Sequence, residues 1–105
     1  MPPFRIHQSV EFDFRVVRAW YAGHSPWAAE NFVYAFHVAL DKARLRPTPH
    51  APWRQIFRRV RLVRYPYLLI FHADTKMTSV LALVHKRREP ARTRAVMSRR
   101  LGEFG

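Results

Sequence analysis

The stretch RQIFRRVRLVR, Arg54 to Arg64, holds five arginines in eleven residues and no acid. Arginine is always charged, and its planar fork grips phosphate or carboxylate through two parallel hydrogen bonds. Arg59 and Arg61 fall on one side of a two-residue repeat, with Val60 and Leu62 on the other. Each arginine taken alone reads as part of a solvated sheet face. Five of one sign beside a candidate buried face point instead to a surface that binds an anion, with Arg58 and Arg64 as further members. A second basic group, Lys86-Arg87-Arg88, follows His85. Histidine titrates near neutrality and can take and return a proton, although a strand-end histidine is more commonly a surface or hydrogen-bonded group. Asp74 and Glu89 are the sole carboxylates between residues 46 and 90, and Asp74 belongs to a turn.

Other chemistries find no footing. The six histidines are scattered and the chain has no cysteine, so neither a thiolate zinc site nor a disulfide can form, and no metal site or cofactor is expected. Three glycines in the whole chain leave none for a phosphate-cradling loop. No Ser-His-Asp arrangement can be argued.

These side chains need a scaffold, and the totals allow one. A chain of 105 residues suits a single domain, with a core over about residues 4–90 and a basic tail over about 91–105. Hydrophobic residues make up 49% and aromatics 14%, too apolar for a disordered chain. Net charge is +12 and lopsided: residues 1–45 carry five Lys/Arg against four Asp/Glu, whereas residues 46–105 carry fourteen against three. A bias confined to one half points to a polyanionic partner. A membrane ranks last, because the basic residues sit on strand-like and tail-like segments. The start of the chain lacks the apolar core of a signal peptide, and YPYLLIFHA is too short to span a bilayer, so a soluble cytoplasmic protein is expected.

Along the chain, FRIHQS reads as a short strand. Ser9 is placed to cap a helix with Glu11 and Asp13 in its first turns, ended by Gly23. Val10, Phe14, Val17 and Tyr21 share one helical face; Phe12, Val16 and Trp20 form a second stripe. That second stripe either packs on the next helix, the commoner use of such spacing, or stays exposed to receive a partner. HSPWAAENFVYAFHVALDKARLRP predicts a helix with Ser25 as N-cap, Pro26 at its first position, and a stripe of Ala29, Phe32, Val33, Phe36, Leu40 and Ala43. Three prolines between Pro47 and Pro52 make a stiff extended loop. From Ile56 the period changes to two. Strands are expected over IFRRVRLV, YLLIFHA and TSVLALVH, with DTKM as a hairpin turn. YLLIFHA is apolar enough to lie centrally. KRREPARTRAVMSRRLGEFG reads as an arm or a short helix. The order predicts an α+β fold: a short first strand, then a two-helix hairpin on one face of a mostly antiparallel sheet of about four strands. The opposite face, with Arg59 and Arg61, is expected to be open and basic.

In this order the chain resembles toxins of the RelE/ParE superfamily, the toxic half of bacterial type II toxin–antitoxin pairs. The likeness is carried by Asp13-Phe14 and Trp20-Tyr21 in the first helix and by AAENFVYAFHVAL in the second. RRVRLVRYPYLLIFHADTKMTSVLALVHKRREP carries the rest, from an arginine-bearing strand through a Pro-Tyr strand start to a closing strand that runs into His, Arg-Arg and Pro. It spans roughly residues 4–90.

The resemblance implies a growth inhibitor neutralised by an acidic antitoxin, which would contact Phe12, Val16 and Trp20 and cover the basic groove. Two targets follow from it. One is mRNA on the ribosome, cut by a metal-independent RNase site with His85 as acid or base and Arg61 and Arg88 on the phosphate. The other is DNA gyrase, bound without chemistry through Arg58, Arg59, Arg61, Arg64, Arg87 and Arg88. The arginine load suits RNA. The Pro-Tyr strand and the His-Lys-Arg-Arg-Glu-Pro ending favour the gyrase branch, as does the lack of any tyrosine after Tyr67. A basic nucleic-acid-binding module without toxicity is the third reading.

Overall fold

The computed structural model describes residues 3–45, 56–87 and 90–104, with side chains in the last segment from residue 93 onward. Its elements run β1 (Phe4–Ile6), α1 (Gln8–His24), α2 (Pro26–Leu45), β2 (Arg58–Arg61), β3 (Tyr67–Ala73), β4 (Thr78–His85) and α3 (Pro90–Gly102). The strands form one sheet in the order β1-β4-β3-β2. β4 pairs antiparallel with β3, and β3 with β2, while β1 adds in parallel along β4. The expected α+β class and order of elements are those observed.

Local chemistry explains the helix ends. α1 is capped by His7, whose ring Nδ1 accepts from the Ser9 N–H at 3.1 Å, so the cap lies two residues before the expected Ser9. Gly23 does not end the helix; the turn continues to His24, and the Ser25 N–H closes it on the Tyr21 carbonyl at 2.9 Å. Ser25 does serve α2 as expected: its Oγ accepts from the Ala28 N–H at 3.4 Å, with Pro26 opening the helix.

The first core lies between the α1–α2 hairpin and one sheet face. Val10, Phe32, Phe36 and Ala43 from the helices meet Val60, Leu62, Leu69, Phe71, Val80 and Leu83 from the strands. Phe14, Val17 and Tyr21 pack at its margin, so the first α1 stripe is the inward one. Phe14 and Tyr21 lie against the Phe32 ring at 5.6 and 5.5 Å, in the offset range in which aromatic pairs attract.

The second face departs from expectation. It is open around Arg59 and Arg61 but covered elsewhere by α3. Met97 is fully buried against Phe57, Ile70, Leu81, Ala82 and Val84, and Val96, Leu101 and Phe104 pack around it. The segment read as a tail is therefore part of the core. Its basic character hid this: the apolar residues of α3 are few and spaced for one narrow stripe, with arginines filling the rest. The β3–β4 register shifts between Ile70 and Phe71. Near it the Leu81 carbonyl accepts from Arg100 Nη1 at 3.0 Å and from Ser9 Oγ at 3.3 Å. The helix end is tied down further by His7 Nε2 on Glu103 Oε1 at 3.0 Å and by the Arg5 guanidinium 4.0 Å from the centre of the Phe104 ring.

Candidate binding surfaces and the fate of the expected site

β2 positions the arginines. Alternation sends Val60 and Leu62 into the first core and Arg59 and Arg61 to the opposite face. There they line a cavity of about 430 Å³ with Leu68 and Lys86. Arg59, Arg61 and Lys86 take part in no ion pair among the described residues. Three cations around one open cavity repel one another through water and favour any anion that enters. Lys86 belongs to this group, yet the arginine pattern of a single strand gives no sign of it; the β3–β4 pairing brings it there.

The other expected members go elsewhere. Arg58 stands opposite Phe71 in the register and so shares the helix-side face, not the Arg59–Arg61 face. Arg64 sits in the turn after β2 with φ of 71°, an uncommon conformation for a side chain with a Cβ. It lines a different groove, with Asn31, Tyr34, Val38, Val63 and Tyr65. Arg87 is exposed just past β4, and Arg88 lies outside the described residues.

His85 pairs with Tyr67 at the end of the β3–β4 ladder, and the two rings meet edge to face at 5.4 Å. Its Nδ1 accepts from the Arg87 N–H at 3.1 Å. Tyr67 packs against the first core, so His85 shares the helix-side face, whereas Arg61 is on the other. His85 and Arg61 therefore lie on opposite faces of the sheet. No group of three or more His, Asp or Glu side chains among the described residues is placed to hold a metal ion.

Two tyrosines beside this end of the sheet are held neutral more firmly than usual. Burial raises the Tyr21 hydroxyl pKa, with smaller contributions from Tyr67 and Tyr65. Burial also raises that of Tyr65, against a smaller opposing effect of the Arg64 charge. The Tyr65 hydroxyl donates to the Ala28 carbonyl at 2.9 Å, tying the turn after β2 to the start of α2.

The second α1 stripe is exposed. Phe12, Val16 and Trp20 are 67%, 54% and 59% accessible, so the expectation that they pack on α2 is not met. α1 turns Phe14, Val17 and Tyr21 inward, and the i, i+4, i+8 positions beginning at Phe12 are left outside. Arg15 pairs with Glu11 at 2.6 Å beside the stripe, an exposed i, i+4 contact of small energetic weight. Trp27 and Tyr34 on α2 are exposed as well, and the sequence reading did not single them out.

No family model and no curated protein matches the sequence. Among solved structures, the fold is similar to that of a chain from the chromosomal ParDE TA system from P. aeruginosa. The match covers 81% of this chain and 96% of that one, with a TM-score of 0.70 at 16% sequence identity. At that identity the likeness is one of fold, and the fold is the one that the RelE/ParE resemblance implies.

Proposed function

We propose that this chain is the toxin of a type II toxin–antitoxin pair, held inactive by an acidic protein partner. The observation that carries the reading is the exposed stripe Phe12, Val16 and Trp20, on a fold like that of a ParDE chain. Burying three such side chains contributes roughly 1.5–3 kcal/mol each to association before ordering costs are deducted. A second copy of the same chain is a poor occupant, since each carries a net charge of +12. An acidic segment that lays an apolar strip on α1 satisfies both the charge and the surface.

The target that fits best is DNA gyrase, engaged by binding alone. The separation of His85 from Arg59 and Arg61 across the sheet supports this over a ribosome-dependent nuclease. An RNase of this kind needs its proton donor and its phosphate clamp around one reacting group. Arg59, Arg61 and Lys86 are then the target-binding surface, with Arg64 in a separate groove and Arg87 exposed past β4 as further contacts.

Induced expression in bacteria tests the proposal. Growth should stop, and co-expression of the protein encoded beside this chain should restore it. Phe12→Ser with Trp20→Ser should abolish that rescue while the variant remains folded. Purified chain should inhibit gyrase supercoiling. Cleavage of mRNA during in-vitro translation, lost in His85→Ala, would replace the gyrase reading with the nuclease one. Salt-sensitive nucleic-acid binding without growth arrest would replace both with the plain binding module.

A further inference from the structure

Helix α2 turns Phe32, Ala35, Phe36, Ala39 and Ala43 into the first core. Its opposite side carries Trp27, Asn31, Tyr34, Val38, Asp41 and Leu45, alternately four and three residues apart. That is the 3.5-residue repeat of a seam that packs on another helix, and it stays close to one line along α2. Nothing covers this seam among the described residues. Trp27, Tyr34 and Leu45 are 71%, 74% and 56% accessible, and Asn31 and Asp41 are exposed as well. Val38 is half-buried and lines a groove of about 440 Å³ with Val63 and Tyr65. Single exposed apolar side chains are common on a surface, but a continuous line of them marks a contact.

The seam is complementary to itself. Laid antiparallel on a second copy, α2 sets Trp27 against Leu45 of that copy, Asn31 against Asp41, and Tyr34 against Val38. The two-fold axis repeats every pair. The two polar residues of the seam thus meet each other, and the Asn31 amide donates to the Asp41 carboxylate, so neither faces an apolar neighbour. A polar layer of this kind fixes register. Sliding the copies by seven residues in either direction loses it, and a parallel pair would set Asp41 against Asp41, two like charges. Along the flank, Glu30 of one copy comes beside Arg44 of the other.

Charge permits this contact although each copy carries +12. α2 is balanced, with Glu30 and Asp41 against Lys42 and Arg44, while residues 46–105 hold fourteen Lys/Arg against three Asp/Glu. Arg59, Arg61 and Lys86 lie across the sheet from α2. At about 0.15 M salt the screening length is about 8 Å, so charges beyond the sheet act weakly across the seam. The α1 stripe offers no equivalent, because each step of four residues carries it about 40° around the helix. An acidic partner would find no excess of cations on α2 to meet. We propose that α2 is a homodimer interface, in which two copies join through an antiparallel pair of α2 helices in this register. Both basic cavities stay open in the dimer, which makes it a bivalent binder of polyanions. The inference does not depend on the toxin reading.

Sedimentation velocity of the full, nuclease-treated chain at about 0.15 M salt tests the proposal. Monomer should give way to dimer between about 10 μM and 1 mM chain, as for a modest association free energy. Asn31→Asp sets a carboxylate against Asp41 of the other copy in two layers and should raise the Kd about tenfold or more. Adding Asp41→Asn to that variant exchanges the two groups and rebuilds the amide–carboxylate layer, so the Kd should return to within about threefold of wild type. Tyr34→Glu should weaken the dimer by about tenfold or more and is not rescued by Asp41→Asn. All of these positions are exposed, so circular dichroism should be the same for every variant. A chain that stays monomeric across the whole range, or self-association that nuclease removes, would overturn the proposal. So would a dimer indifferent to Asn31→Asp, or an exchanged double variant no tighter than the single one. A dimer lost in Phe12→Ser with Trp20→Ser but kept in Tyr34→Glu would move the contact to α1 and overturn it as well.

Discussion

The decisive substitution for the architecture is Met97→Ala. Met97 is fully buried and forms the centre of the second core, with Phe57, Ile70, Leu81, Ala82 and Val84 around it. Truncating a buried methionine removes its transfer free energy and leaves a partly relaxed cavity, for a loss of about 2–5 kcal/mol. A domain of this size is stable by roughly 5–15 kcal/mol, so the loss is a large share of the whole. At roughly 4–8 °C per kcal/mol for domains of up to about 100 residues, a loss near 3 kcal/mol lowers Tm by about 12–24 °C. Arg99→Ala, on the exposed side of the same helix, should change stability by less than about 0.5 kcal/mol. Thermal melts followed by circular dichroism, with urea titrations to check that the slope is unchanged, measure both variants. If Met97→Ala melted with the wild type, α3 would not be docked. The basic face would then be open along its whole length, and the argument that α3 confines the anion-binding region to the β2 side would fail.

Three further outcomes follow from particular contacts. Phe12→Ser with Trp20→Ser should leave the urea midpoint nearly unchanged, within about 0.5 kcal/mol, because both side chains lie in solvent; a large loss would mean that the stripe is core. Arg64→Asn should stabilise the fold by about 0.5–1 kcal/mol, since asparagine tolerates the positive φ of that turn better than arginine does; a lower urea midpoint would refute this. Asp74 accepts from the N–H groups of Lys76 and Met77 at 2.8 and 2.7 Å, and these bonds, the Lys76 one foremost, hold its carboxyl below its ordinary value of 3.8. A depressed folded pKa gives stability that is present above 3.8 and lost as the pH falls through the lower folded value. The advantage of wild type over Asp74→Asn should therefore shrink as the pH falls below 3.8 in thermal melts, and an advantage independent of pH would refute the carboxylate's role.

Local signals in the sequence determined most of the elements. The three-to-four-residue spacing of Phe14, Val17 and Tyr21, the Ser25-Pro26 helix start, and the change to a two-residue period at Ile56 are statements about neighbours in the chain. Neighbours in the chain dictate which face of a helix or strand is apolar. Alternation alone also put Arg59 and Arg61 opposite Val60. What it could not supply was the identity of the element that covers each face. The stripe of Phe12, Val16 and Trp20 looks as buriable as the one beside it, and only the docking of α1 through Phe14 and Tyr21 decides which is left in water. The same holds for the basic tail, whose sparse apolar residues gain their value from a sheet face that needs a cover.

The candidate site divides in the same way. Residue types made anion binding legible before any fold was known. Strand register decided which cations share a surface: it sent Arg58 and His85 to the helix side and brought Lys86 to Arg59 and Arg61. Side-chain chemistry is carried by each residue wherever it stands. Proximity between strands is set by long-range pairing, and a single sequence does not encode that pairing in any local pattern.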